Sequence, residues 1–539
     1  MKRFLSLILI FAVIFSLSSC SDGDNKAISY SLSASPATLD PQYATDTASQ
    51  IVINNTFEGL VRLSSDGEII PGIAESWNVS GDGLTYTFNL KANTEWYCPS
   101  VLKSEFGEDF YNKFSAEKVT ASDFVFAMQR AVSPETASPN AHRLFVIENA
   151  SEIYSGKAEA STLGVSAPQD YTLIIKLHEP CPDMLERLTE SAFMPCNEEF
   201  FNSMNGRYGL THRHILCNGP FYVSAWDKES SLSIRRNKYY AGEQAVMPSS
   251  VNFSFDYDAQ TIAGKVSSAA ASAALLPPDC EAPENSVVVK ENPNSVFGFV
   301  FNCSDSRLKN TNLRLALCSS IDRSLFSQEQ NNTVPMSGFV PQSCFAGSVN
   351  YREAIGNQTP QINSGVSAAA AYWKVALSEL NTDKISLTVL CPEWLDTPVR
   401  RQLQIWQQTL GINLGITIET KTPEEIQAAV SSGNFQIALA GIESSYDSAV
   451  DFLASLRNGG AFRFSSEEYG RIIDRLLTVE DDKELLSGCL TAETYILQQA
   501  LCFPLYSRSS RFVMHEEIED ITIVNSESSV SFINAKRYD

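Results

Sequence analysis

Apolar and polar positions alternate with a period of two from Leu84 to Leu90, so that Leu84, Tyr86, Phe88 and Leu90 share one face. Gly81-Asp82-Gly83 supplies the turn before this strand. Ile28–Leu32 alternates in the same way and is broken by Pro36 and Pro41. Ile51, Val52, Phe57, Leu60 and Val61 pattern residues 49–63 as a helix leading into a short strand. Thr120-Ala121-Ser122-Asp123 is a capping box, and Phe124, Met128, Ala131 and Val132 form one apolar helical face that Pro134 stops. Residues 171–177 and 232–236 read as strands. Val266–Leu276, rich in Ala and Ser, reads as a helix or a mobile surface turn.

A different rhythm begins at Lys384. Ile385, Leu387 and Val389 make a strand, and Val399, Leu403, Trp406 and Leu410 mark a helix over residues 398–410. Ile412, Leu414, Ile416 and Ile418 alternate as the next strand. A helix then starts at the cap Thr422 with Pro423 just inside and Gly433 just past its end, and Phe435, Ile437 and Leu439 follow as a strand. This succession predicts an α/β unit with a largely parallel sheet. Helices near 466–478 and 480–499 and strands near 503–513 and 521–533 complete the chain. No repeat of fixed period and no long linker is visible, so lobes built from discontinuous segments are expected.

The one uninterrupted apolar run, Phe4–Leu17, follows Lys2 and Arg3. It is short for a bilayer span and the right length for the core of a secretory leader. It ends in Leu17-Ser18-Ser19-Cys20, which looks like a bacterial lipobox, with a polar tether, residues 20–26, behind it. Residues 1–19 are therefore expected to be removed and Cys20 to carry lipid. That would hold the folded body at the extracytoplasmic face of the cell membrane.

At 539 residues, two or three lobes are expected. Against 40 Lys and Arg stand 63 Asp and Glu, a net charge of −23. Such a surface repels phosphate backbones, which excludes nucleic acid as a partner, and it repels anionic membrane surfaces as well. Eleven cysteines remain after Cys20, scattered and odd in number, with no Cys-x-x-Cys pair; they cannot all pair within the chain, and burial as small hydrophobes is one reading of them. His212-Arg213-His214 with Cys217 is the nearest approach to a metal cluster, but it reads better as a polar loop ahead of Gly219-Pro220, and no metal or other cofactor is expected. No nucleophile elbow, zinc-protease helix, phosphate loop or dinucleotide fingerprint occurs, so an enzyme is not expected.

Several short stretches in fixed order carry a resemblance. Thr38-Leu39-Asp40-Pro41 is followed by Phe57-Glu58-Gly59-Leu60-Val61, Pro71-Gly72-Ile73-Ala74-Glu75-Ser76-Trp77 and Asp82-Gly83-Leu84-Thr85-Tyr86-Thr87-Phe88. Then come Thr120-Ala121-Ser122-Asp123-Phe124, Asn218-Gly219-Pro220-Phe221-Tyr222, Arg236-Asn237-Lys238-Tyr239-Tyr240, Asn312-Leu313-Arg314-Leu315-Ala316 and Ile321-Asp322-Arg323. Together they resemble the extracellular solute-binding proteins of ABC importers for oligopeptides, dipeptides and nickel, over essentially the whole chain after Cys20.

The resemblance implies an α/β, two-lobed periplasmic-binding-protein-like fold of class II, with an extra inserted subdomain and a hinged ligand cleft. Lobe I would comprise residues 27–75, 191–289 and 504–539, the inserted subdomain 76–190, and lobe II 290–503. A peptide or peptide-like solute would bind between the lobes and pass to ABC permease and ATPase subunits, the receptor itself being a monomer. A nickel chelate or a glycan as solute, or a sensor or adhesion lipoprotein without transport, are the alternatives. In peptide-binding members an aspartate just before a tyrosine holds the peptide's amino terminus. Here the matching stretch is Glu443-Ser444-Ser445-Tyr446-Asp447, continuing to Asp451-Phe452-Leu453, so that Tyr446 is kept and Ser445 takes the aspartate's place. Asp447 or Glu443 is then the substitute acid, or both merely face solvent. Thr422-Pro423 stands where an aromatic residue is often found, and Trp394 either offers a stacking surface or belongs to the core or rim. The expected ligand-binding residues are Ser445, Tyr446, Asp447 and Trp394.

Overall fold

The computed structural model describes residues 26–538 apart from 182–183, 278–279, 327–332, 348, 357–364, 445–447, 458, 478, 480 and 525–528. Cys20 and the leader lie outside the described residues, as do Ser445, Tyr446 and Asp447.

In chain order the strands that build the frame are β1 (Ile28–Leu32), β2 (Ala74–Val79), β3 (Thr85–Leu90), β4 (Val165–Gln169), β5 (Thr172–Lys176), β6 (Phe221–Asp227), β7 (Ser231–Arg236), β8 (Ser250–Phe255) and β9 (Ala273–Leu276). They continue with β10 (Ser286–Phe301), β11 (Thr333–Pro335), β12 (Ile385–Cys391), β13 (Leu414–Thr420), β14 (Ile437–Glu443) and β15 (Cys502–His515). One mixed sheet runs β13-β12-β14-β10-β15-β9-β1-β8-β7-β6, with β11 on β15. A separate four-stranded sheet runs β2-β3-β5-β4. The result is a two-lobed α/β fold: β9, β1, β8, β7 and β6 serve one lobe, and β13, β12 and β14 serve the other.

Local chemistry explains the elements that the pattern predicted. On β3, Tyr86, Phe88 and Leu90 are buried and Thr85, Thr87 and Asn89 are less so, which is the expected two-residue period. Asp123 accepts from the Thr120 amide at 2.8 Å, capping the helix Ala121–Val132. The helix Pro423–Ser432 begins with a reciprocal pair, Glu425 N to Thr422 Oγ1 at 3.3 Å and Thr422 N to Glu425 Oε2 at 3.0 Å. It ends at Gly433, whose φ of 76° only glycine adopts freely. A single apolar core joins Tyr30 and Phe253 of the first lobe to Phe88, Phe124 and Leu173 around the small sheet. The second lobe has one core on each face of its sheet.

Two expectations need correction. Residues 266–276 are neither one helix nor a surface turn: the helix Ala259–Ser267 ends there, and β9 lies between β1 and β15 in the middle of the sheet. The run of small residues exists because Ala271, Ala274 and Leu276 pack directly under that helix against Ile262, Ala263 and Val266. Ile412 is 90% exposed and precedes its strand, because Gly411 (φ 98°) turns the chain out into solvent before β13 begins. The parallel pairing expected of the unit from Ile385 to Leu439 is present, within a sheet that is mixed as a whole. β12 is parallel to β13 and β14, whereas β10 and β15 run antiparallel to each other, and β10 antiparallel to β14.

Candidate functional site

Two strands pass from lobe to lobe. β10 pairs with β15 from Ser286 to Val300, and β14 joins β10 only from Ser295 onward. At its other end β15 pairs with β9 through Arg511–Met514. The crossing is written in the composition of β10. Exposed Val287-Val288-Val289 and buried Val296–Phe301 flank the polar segment Lys290-Glu291-Asn292-Pro293-Asn294-Ser295. Opposite it β15 carries Ser507-Arg508-Ser509-Ser510-Arg511. The ladder shifts register between Val288 and Lys290 and again between Asn292 and Ser295, and Pro293 has no amide hydrogen to give it.

Buried polar groups here find partners in each other. Ser507 Oγ donates to Ser295 O at 3.2 Å, and Arg511 donates to Glu291 at 2.8 Å and to Cys280 O at 2.8 Å. Arg508 is buried, with its guanidinium 5.2 Å from the Phe297 ring, and burial lowers its pKa to about 10.

Beside the crossing lies the carboxyl edge of the parallel strands. β12 and β14 are paired at Val389–Ile437 and Leu390–Ala438, so the segments that follow them leave from the same edge. In open α/β sheets that edge is where ligands bind. From Leu439 to Glu443, β14 has β10 on one side and no strand on the other among the described residues. Trp394 sits in a short 3-10 helix after β12 and is 39% exposed, while its neighbour Leu395 is buried. That places Trp394 at the rim and out of the core. Ser444 N donates to Asn294 O at 2.9 Å, and Ser448 bridges to Phe345 and caps the helix Ala449–Ala454 by accepting from Asp451 N at 3.1 Å.

Charge meets charge across the gap between lobes. Arg143 Nη1 donates to Glu190, both from the first lobe's side, and stands 4.0 Å from Asp451 of the second lobe. Burial raises the Glu190 carboxyl despite the Arg143 charge beside it, and Asp451 adds to the rise. Glu443, the last residue of β14, is exposed, yet burial pushes its carboxyl up as well. It has no hydrogen-bond or ion-pair partner among the described residues. Arg143, Glu190 and Arg508 are residues that sequence reading missed; they are isolated charges in the chain and only the fold brings them to this gap.

The matched stretches of the first lobe turn out to be one knot. Glu58 N donates to Asn218 Oδ1 at 3.1 Å and Asn218 Nδ2 returns to Glu58 O at 2.9 Å. Asn237 Nδ2 holds Gly219 O at 3.0 Å, and Tyr240 OH donates to Glu58 Oε2 at 2.8 Å. A Cβ on Gly219 would lie 2.6 Å from the Thr56 carbonyl carbon, so the chains approach too closely for any side chain there. Asp40 receives Arg130 with two nitrogens at 2.7 and 2.6 Å. In the second lobe Arg314, fully buried, donates to the Leu308, Lys309 and Gln499 carbonyls. These residues hold the frame.

The remaining chemical candidates are likewise engaged. His214 bonds Glu105 at 3.0 Å and Thr211 at 2.9 Å, so the His-x-His loop is tied to the helix Leu102–Phe106. Among the described residues no group of three or more His, Cys, Asp and Glu is arranged to hold a metal ion. The eleven cysteines after Cys20 are all buried; burial pushes the thiols of Cys98, Cys196, Cys217 and Cys391 up to about 12, far from reactive. No helix among the described residues is long and apolar enough to cross a membrane.

Known proteins share this whole architecture. The oligopeptide-binding protein OppA of Bacillus subtilis is 25% identical over 560 residues, covering 98% of each chain. The substrate-binding domain of an oligopeptide ABC transporter from Bacillus anthracis superposes with a TM-score of 0.76 at 24% identity, over 96% of this chain and all of that one. Listeria monocytogenes OppA bound to peptide gives 0.75 at 23% identity, over 96% and 99%. Residues 68–463 match the family described as bacterial extracellular solute-binding proteins, family 5 Middle. Since that match spans most of its length, the chain belongs to the family 5 bacterial extracellular solute-binding proteins.

Proposed function

We propose that this protein is the lipid-anchored receptor of an ABC importer, and that it captures peptides or peptide-like solutes between its lobes for delivery to a membrane permease. The observation that carries the reading is the open edge of β14 beside the lobe crossing. An extended main chain adds to such an edge by backbone hydrogen bonds, a mode indifferent to ligand sequence. Gly441 in that stretch leaves the backbone bare for close approach. Trp394 and residues Ser445, Tyr446 and Asp447 line the same cleft in this reading. Lobe I is residues 27–75, 191–289 and 504–539, with 76–190 inserted into it, and lobe II is 290–503. Capture closes the lobes about β10 and β15, which requires the solute to bind the closed arrangement better than the open one. Cys20 anchors the receptor outside the cell membrane through lipid, and the receptor works as a monomer.

Native mass spectrometry of the protein, purified without refolding and challenged with a mixed short-peptide library, tests this. Retained peptides together with a raised melting temperature are expected. A bound mass that is not a peptide would discard the peptide and keep the importer. No bound solute of any kind would sink the capture reading.

A further inference from the structure

We propose that Arg143, Glu190 and Asp451 form an ionic latch between the lobes: Glu190 holds the Arg143 guanidinium in place on the first lobe's side, and Asp451 meets it only when the lobes close. The inference rests on the closure about β10 and β15 given above. Preorganisation is its first support. Arg143 lies in the 3-10 helix Ala141–Leu144, whose Leu144 belongs to the first lobe's core, and Glu190 directly precedes the 3-10 helix Ser191–Phe193. The Arg143 side chain is only 5% exposed, and its Nη1 donates to Glu190 Oε2. A guanidinium fixed in this way has little freedom left to lose when a second acid arrives. Asp451 comes from the other side on the helix Ala449–Ala454, whose Phe452 and Leu453 are set in the second lobe's core. Its Oδ2 stands 4.0 Å from Arg143 Nη1.

What the contact joins is the second support. Arg130–Asp40 lies inside the first lobe and Arg352–Glu493 inside the second. Arg511–Glu291 is a ladder pair of the crossing strands, so it stays together whichever way the lobes lie. Arg143 and Asp451 stand on short helices of opposite lobes, so their separation follows closure. Charge balance is the third support. Asp451 pushes the Glu190 carboxyl up, while Arg143 and Arg187 pull it down. Two acids flanking one arginine repel each other, and Arg187 supplies the second cation that the closed arrangement needs. With the lobes apart, Asp451 is returned to water and Arg143 keeps Glu190. The attraction between Arg143 and Asp451 therefore favours the closed state alone, which is the condition for shifting the balance between the two states. It does so for any solute, because the latch is made of protein on both sides.

Single-molecule energy transfer between dyes on exposed positions of the two lobes, Glu159→Cys and Glu468→Cys, reads the ratio of closed to open molecules. It is measured without and with the mixed short-peptide library, and compared in whichever condition populates both states. Asp451→Asn is expected to lower the closed-to-open ratio about fivefold at low salt. Raising the salt from about 0.1 M to about 1 M should bring the wild type toward the variant and leave Asp451→Asn where it was, since screening acts on the charge pair. A merely structural role for Asp451 would not produce that convergence. Equal ratios in wild type and Asp451→Asn at low salt overturn the latch and leave closure standing. Should Asp451→Asn fold poorly, the wild type decides by itself: a ratio unmoved by salt overturns the latch. A single interlobe distance, unchanged by the peptides, overturns the closure reading and the latch with it.

Discussion

Glu58 and Glu443 are both crowded carboxyls whose pKa burial raises, and they show how differently the two lobes use acid. Glu58 lies in the first lobe's knot, where Arg62 and the Tyr240 hydroxyl oppose the effect of burial and its own backbone is clasped by Asn218. Its side-chain oxygens and its backbone all have protein partners, so its environment is finished before any ligand arrives. Glu443 ends a second-lobe strand with burial as the only cause of its shift. The first arrangement rigidifies a frame; the second leaves an interaction to be completed from outside. Substitutions in the knot should therefore cost folding stability and leave the affinity of the folded fraction alone, whereas substitutions at the rim should do the reverse.

The sharpest test of that contrast is Arg130→Ala. It strips the partner from buried Asp40 and should cost about 3–5 kcal/mol in urea unfolding. Solute affinity per folded molecule should stay unchanged. Next is the pH dependence set by Asp123, whose carboxyl burial pushes up to about 7. Because this value is raised above the unfolded one, the group contributes stability that is full below pH ~3.8 and lost as pH rises through ~7. Relative to Asp123→Asn, the wild type should lose on the order of 3 kcal/mol between pH 4 and pH 8, measured by unfolding at both. Asn218→Ala, which breaks both bonds to the Glu58 backbone, should cost about 2 kcal/mol of stability. The smallest stability change is expected at the rim: Trp394→Ala should move unfolding by under about 0.5 kcal/mol while weakening peptide binding. A Trp394→Ala protein as unstable as Asn218→Ala would erase the distinction between frame and rim.

Elements governed by local rules could be read from sequence. The β3 alternation, the Thr120 and Thr422 caps and the Gly433 stop are each settled within a few residues by pleat geometry, capping chemistry or φ. β9 could not be read, since its Ala-rich stretch is a strand only because β1, β15 and a helix enclose it. Ile412 was misplaced because alternation does not register a glycine turn. The site divides in the same way. The run 443–447 stood out by resemblance, and Trp394 by its place after a strand. Arg143, Glu190 and Arg508, isolated charges in the chain, carry no signal until the lobes face each other.

By itself the sequence determined the periods, caps and breaks of its elements, the acidic surface and the ordered short stretches that mark the family. Each of these is a property of neighbours along the chain, or of composition. Tertiary structure alone decided that Glu58, Asn218, Asn237 and Tyr240 form one knot, that β10 and β15 make the crossing, and that Glu443 has no side-chain partner among the described residues. A carboxyl's partner is chosen by distance in space, and residues 20 or 200 positions away compete for it on equal terms once the chain has folded.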